Sequence, residues 1–388
     1  MFQCSNEPNG QRYLGMVNGH ISLFSFPVFH YPLSVRIIFV LSRLCVILNC
    51  VYSPLISFVF PPMNFELILS NLTSPALLFF FLGILGVQLK SDLAIPKSSG
   101  KFISLYLLFA IGFKGGQELS HSPFSTEILA ALAFGMALAV AVPIYTFFIL
   151  KRRMDIQNAG AIAATYGSVS AVTFVTAVSF LEAQNISFSG HMVAVMALME
   201  APAIVIGVIM MQIFKGNEPQ ITVDAPKVSK LGIIKHALTN GSVFLILGSL
   251  VIGYLANEEQ ANGIAPFTTD IFKGFLAIFL LDMGIACGQR IKDLVTNGLY
   301  PFMFAIIIPL VNGVATAVLS GFITDSEGDR LIFSILAAGA SYIAVPAAMK
   351  LAAPKASPSL YIPMALAITF PFNITLGMPL FMAIIQAV

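Results

Sequence analysis

Ten apolar runs separated by short polar loops account for the chain from residue 72 onward. They fall at 72–89, 101–117, 126–150, 157–181 and 191–214, then at 238–256, 271–289, 296–323, 330–352 and 359–386. A helix needs about 20 apolar residues to cross the hydrocarbon core of a bilayer, and these runs recur at about that length. The pattern predicts ten transmembrane helices. Between the two sets lies KGNEPQITVDAPKVSKLGIIKH (215–236), a polar stretch with Pro219, Pro226 and several charges. It reads as a solvent-exposed cytoplasmic linker between halves.

The loop charges set an orientation. Lys90/Lys97/Lys101, Lys151/Arg152/Arg153, Lys215/Lys227/Lys230/Lys235, Arg290/Lys292 and Lys350/Lys355 follow the odd-numbered runs. The intervening loops are acidic or mixed. Basic loops stay in the cytoplasm, so both ends of the ten-helix core are expected outside the cell (inner) membrane.

The halves echo each other. IGFKGGQEL (111–119) and MGIACGQRI (283–291) share a Gly-x-x-x-Gly-Gln phrase, in which Gly112, Gly116 and Gln117 are answered by Gly284, Gly288 and Gln289. LTSPALLFFFLGILG (72–86) resembles LTNGSVFLILGSLVIG (238–253), YGSVSAV (166–172) resembles AGASYIAV (338–345), and Pro202 pairs with Pro371. Five is odd, so the second copy must enter the membrane inverted, as in many secondary transporters. The fold class expected is an all-α polytopic membrane protein built as two inverted five-helix repeats. Each glycine phrase closes its run. Glycines four apart strip one helix face, so the two helices should approach each other or a neighbouring helix closely, with Gln117 and Gln289 capping terminal carbonyls.

Composition agrees with this picture. The 388-residue chain is 57% hydrophobic and only 10% charged, against roughly 25% charged for a soluble domain. A net charge of +2 with no basic stripe argues against a nucleic-acid partner. Cys4, Cys45, Cys50 and Cys287 form no CxxC pair, so neither a disulfide framework nor a zinc site is indicated. Residues 1–62 have no counterpart in the second half. Their apolar run VRIIFVLSRLCVILNCVYSPLISFVF (35–60) reads as an eleventh helix, an uncleaved signal, or an over-extended frame ahead of a working start at Met63. The division expected is 1–62, a first repeat at 63–214, the linker at 215–236 and a second repeat at 237–388.

Candidate chemistry sits in two interrupted helices and one carboxylate. AATYGSVSAVTF sets Gly167, Ser168, Ser170 and Thr173 inside the fourth run, and LAAGASYIAVPAA sets Gly339, Ala340, Ser341 and Tyr342 inside the ninth. An unwound turn frees backbone groups that lipid cannot satisfy, so such a break belongs beside a polar cavity. Half-helix N-termini then face an anion, while carbonyls and hydroxyls face a cation. The alternative is close helix packing through small residues. Glu200 lies about ten residues into the fifth run, roughly 15 Å deep, where a carboxylate is functional by default. Its repeat mates are Thr369 and Asn373. Asp282 is also intramembrane, read either as cavity lining or as an interfacial hydrogen bond. A Gly-x-Ser nucleophile at Ser341 would need a histidine base, and His121, His191 and His236 fall at helix ends or in loops. No enzyme activity is expected; an intramembrane hydrolase and a non-transporting scaffold are the contrasting readings.

SPALLFFFLGILG, LFAIGFKGGQEL, YGSVSAVTFVTA, MEAPAIVIG, GASYIAVPAAMKLAAPKASPSLYI and ITFPFNITLGMPLF resemble, in order from about residue 63 to 388, the sodium-dependent bicarbonate transporters (the SbtA-like family). The resemblance implies a gate domain of helices 1, 2, 6 and 7 and a core domain of helices 3–5 and 8–10. It implies that broken helices 4 and 9 cross at the ion and bicarbonate site, and that protomers form a homo-oligomer, a trimer. Gly167, Ser168, Ser170 and Thr173 then fall on one crossover, and Gly339, Ala340, Ser341 and Tyr342 on the other. Where that family carries a run of serines followed by Asp in helix 9, this chain has Ser341 and then Tyr342. The function expected is Na⁺-dependent bicarbonate symport, with Na⁺ held by Ser168, Ser170, Glu200 and Ser341 and no cofactor beyond this coupling ion. Symport of another small anion or carboxylate is the alternative.

Overall fold

A computed structural model of the chain describes residues 16–17, 20–21, 65–121, 125–214, 241–296 and 298–388. Residues 1–59 and 60–388 form separate units. In the first, β1 (Met16–Val17) pairs antiparallel with β2 (His20–Ile21), Met16 facing Ile21. The expectations for 1–62 otherwise lie outside the described residues, as does the linker at 215–236.

The described residues of the second unit are helical, and each of the ten apolar runs contains helix. Helix α1 (Phe65–Leu72) bends by 60° into α2 (Pro75–Gln88). The bend has a local cause: Ser74 is extended, its hydroxyl caps the Leu77 amide, and Pro75 starts the new helix. The first half continues with α3 (Lys97–Ser120), α4 (Thr126–Leu150), α5 (Ile156–Gly167), α6 (Ala171–Ala183) and α7 (His191–Phe214). The second half holds α8 (Gly241–Leu255), α9 (Glu258–Ala265), α10 (Phe272–Thr296) and α11 (Leu299–Leu319). It ends with α12 (Glu327–Ala338), α13 (Ala344–Ala352) and a last span, 358–387, of α14 (Pro358–Pro363), α15 (Phe370–Phe372) and α16 (Met378–Ala387) joined by π-helical turns.

Among the described residues six helices are long and apolar enough to cross a membrane, or seven if the bent pair α1–α2 is one span. The protein is therefore a multi-pass helical membrane protein. The remaining expected spans are α8, which is short, α3, which carries Lys97, Lys101, Lys114 and Glu118, and the broken pair α12–α13. The segment Ile156–Ala183 is 94% buried over its most apolar stretch, against 33% for α4. Lipid-facing helices need one covered face; a helix covered all round lies at the centre. The interrupted fourth helix is thus interior.

Glycine decides which helices lie closest. A side chain on Gly112 would meet Ser249 at 2.8 Å and the Ile246 carbonyl at 2.7 Å; one on Gly116 would meet the Tyr254 amide at 2.6 Å. So α3 packs backbone to backbone on α8. On the other side, Gly284 lies against Phe80 and Gly83, and Gly288 against Ile84 and Val87, so α10 packs on α2 in the same way. The contacts are reciprocal: Ile246, Ser249, Leu250 and Gly253 answer Phe80, Gly83, Ile84 and Val87. The close approach expected from the phrase is present, but its position differs. Helix α3 runs on to Ser120 and α10 to Thr296, so both helices continue past the apolar run. Gln117 caps α8, its amide donating to the carbonyls of Gly253 and, at 2.9 Å, Ala256. Gln289, about two turns short of the end of a continuing helix, is exposed and caps no helix end among the described residues.

A second reciprocity ties the broken helices to the loops. At the start of α12, Asp329 is fully buried and accepts from the Ser189 amide (2.6 Å) and hydroxyl (2.7 Å), in the loop after α6. At the start of α5, Asn158 accepts from the Ser357 amide (2.8 Å) and Gln157 from the Lys355 amide (3.1 Å), in the loop after α13.

Candidate functional site

Helix α5 ends at Gly167, where the ring of Pro143 on α4 fills the space a side chain would need, 2.5 Å from the would-be Cβ. Ser168 is extended (φ −89°, ψ 155°), and Ser170 starts α6 by accepting from the Thr173 amide at 3.3 Å. In the ninth run α12 ends at Ala338, Gly339 is extended (φ −67°, ψ 165°), and α13 begins five residues later at Ala344. The two breaks touch. The Ser341 amide donates to the Thr165 carbonyl at 2.8 Å, and a Cβ on Gly339 would stand 3.4 Å from the Ser170 amide.

Breaking α12 releases carbonyls that must be paired when buried. Asn312 of α11 donates to Ala337 (3.0 Å) and accepts from Tyr145, and Asn373 donates to Ala338 (2.7 Å). Thr369 donates to the Ala305 carbonyl (2.7 Å) and shares a hydrogen bond with Tyr166 (2.8 Å). These groups hold the frame around the crossing.

Where the breaks meet α7 there is a cavity of about 30 Å³, room for about two waters. Its polar lining is Ser104, Ser170, Glu200, Ser242, Ser341 and Tyr342. The N-terminal end of α6, residues 170–172, borders it as well, so a positive helix-dipole end and a carboxylate face one small space. Two oxygens nearby in the frame stay unpartnered although buried, Ser168 Oγ and Asn373 Oδ1. Oxygen donors of this kind suit a hard cation, which is bound through carbonyls, hydroxyls and carboxylates.

Of the residues singled out from the sequence, Ser170, Glu200, Ser341 and Tyr342 come together on the cavity. Gly167, Ser168, Thr173, Gly339 and Ala340 belong to the two breaks without lining it. Thr369 and Asn373 are in the frame. Asp282 lies beside Gly100, its Oδ2 2.5 Å from where a Cβ would be, and is not one of the cavity's lining residues. Ser104 and Ser242, from α3 and α8, and Asn312 escaped the sequence reading. Asn312 left a signal, an amide three residues past Pro309 in an otherwise apolar run; a serine in an apolar helix left none, because it can satisfy itself on its own backbone.

A family model described as the Na⁺-dependent bicarbonate transporter superfamily matches residues 75–386. No curated protein matches the chain.

Proposed function

Because this chain belongs to the Na⁺-dependent bicarbonate transporter superfamily, we propose that it is a Na⁺-coupled symporter that takes up bicarbonate by alternating access. The observation that carries the reading is the meeting of two helix breaks on a cavity shared by Glu200, Ser170, Ser341 and Tyr342. Na⁺ is held by oxygens of Ser168, Ser170, Glu200 and Ser341 with backbone carbonyls of the breaks. Its charge offsets that of a midplane carboxylate, which is costly alone. The anion faces the N-terminal end of α6 and the neighbouring hydroxyls, where helix dipole and bound cation both attract it. Because each ion lowers the cost of burying the other, they move together.

The ten spans form two inverted five-helix repeats, with residues 63–214 exchanging with 237–388. Reciprocal glycine packing of α3 on α8 and α10 on α2 supports this, as does the mutual pinning of broken helices and loops. The gate comprises α2, α3, α8 and α10, and the core carries the crossing. The core moves against the gate as a body, in a homotrimer in the cell membrane with both ends of the ten-helix core outside. A second reading, symport of another small anion or carboxylate, is favoured by Tyr342, whose ring takes space beside Ser341 on the cavity.

Counterflow of labelled bicarbonate in proteoliposomes, with and without a Na⁺ gradient, tests the proposal. Uptake is expected only with Na⁺, and Glu200→Ala should remove most of it while inserting normally. Competition by other anions separates the two substrates. Normal Na⁺-driven uptake by Glu200→Ala would assign Glu200 a structural role instead; absence of uptake by the wild type for every anion would end the transporter reading.

A further inference from the structure

The larger cavity is not the one at the crossing. A space of about 230 Å³ lies among the α1–α2 bend, α6 and the start of α10. That is more than ten times the space one water requires, whereas the crossing holds about two waters. A hydrated ion fits the first and not the second.

Its lining is selective in charge. Among the described residues Lys273 is the one ionisable group that lines it, and no carboxylate does. Glu182 stands near, but its tight partner is Lys114 at 2.8 Å, with Lys273 at 3.8 Å from the other oxygen. Two ammonium groups thus share one carboxylate, and Lys273 is the more loosely held of the two. The first turn of α2, from Ser74 to Leu77, lines the cavity with a positive dipole end, while the last turns of α1 and α6 line it with negative ones, so the charge preference rests on Lys273. Ser179 and Gln184 supply polar donors.

The two cavities share one helix. Val172 borders the crossing, and Thr176, Ser179, Phe180 and Ala183 border the larger space. Steps of three and four residues keep all of these on one face of α6, over about 16 Å. A ligand in the larger space is thus on the α6 face that leads to the crossing.

We propose that this cavity is a vestibule that binds a small oxyanion, with Lys273 as its charged contact and the first turn of α2 beside it. Here the anion gives up part of its hydration before reaching the crossing. The assignment of that anion as the transported one rests on the transporter reading; binding in the vestibule does not. On the proposed topology the vestibule opens to the outside.

Hydrogen exchange on the full chain in nanodiscs tests it, using potassium bicarbonate without Na⁺ and potassium chloride as the matched control. The Glu200→Ala protein serves as background, so a failed crossing site leaves the measurement intact. Bicarbonate should slow exchange at 176–184 and 273–277 in phosphatidylcholine discs. Lys273→Gln should raise the bicarbonate concentration needed by about threefold, the size expected for a partly screened charge contact, and Lys273→Arg should restore it. No protection, or protection unchanged in Lys273→Gln, overturns the vestibule. Protection that needs phosphatidylglycerol and ignores bicarbonate assigns the site to a lipid phosphate and overturns it too.

Discussion

Replacing Gly284 by alanine adds one methyl group, and the structure says where it goes. The new Cβ would lie 2.9 Å from the Phe80 carbonyl carbon, closer still to its oxygen, and 3.2 Å from Gly83 Cα. All three obstacles are backbone, which cannot rotate away as a side chain can. Helices α2 and α10 must therefore part. Overpacking of a close interface costs about 1–3 kcal/mol, and a backbone obstacle argues for the upper end. Against this, alanine in a helix interior is better than glycine by about 1 kcal/mol. The net expectation is a loss of about 2 kcal/mol, or roughly 4 °C in midpoint by the scaling for domains of this size. Gly274, on the same helix, has no atom within 4 Å of its would-be Cβ. Gly274→Ala should lose nothing and gain up to about 1 kcal/mol. On the other helix pair, Gly253→Ala meets Phe113 backbone atoms at 2.9 and 3.0 Å while Gly248→Ala meets nothing, so the same split should recur on α8. Thermal midpoints of detergent-solubilised protein, read by the monodisperse fraction on size exclusion, measure all four variants. If Gly284→Ala and Gly274→Ala shift the midpoint in the same direction, backbone contact is not what holds α2 and α10 together.

Further outcomes follow from individual side chains. Asn312→Ala leaves the Ala337 carbonyl and the Tyr145 hydroxyl without their partner, costing about 2–3 kcal/mol; an unchanged thermal midpoint would mean that water replaces the amide. Asp329→Ala frees the Ser189 amide and hydroxyl, so amide exchange at Ser189 should quicken by roughly tenfold or more, the value of a charge-assisted hydrogen bond. If it does not, the loop after α6 is held by packing alone. Gln117→Ala removes the cap on α8 and should cost about 1 kcal/mol, with faster exchange confined to its last turn. Exchange that quickens throughout α8 instead would make Gln117 a packing residue.

Much of the fold was legible in one dimension because lipid enforces local rules. A backbone crossing a bilayer must satisfy its own hydrogen bonds, so apolar length marks helices directly. For the same reason Gly167–Ser170 and Gly339–Tyr342 announced themselves as breaks. Glycines four apart likewise told that α3 and α10 pack tightly on something. Which partner each helix takes was a different matter. Periodicity names a face and not its neighbour, and only the tertiary structure chose α8 for α3 and α2 for α10. It also separated residues that looked alike in sequence. Thr369 and Asn373, polar beside a proline, went to the carbonyls of Ala305 and Ala338, because Pro309 has no N–H for the first and the break after α12 leaves the second without a helical donor. Ser104 and Ser242 reached the cavity for the opposite reason. Their chemistry is unremarkable in an apolar helix, and only the packing of α3 and α8 near the crossing turned two ordinary serines into part of its wall.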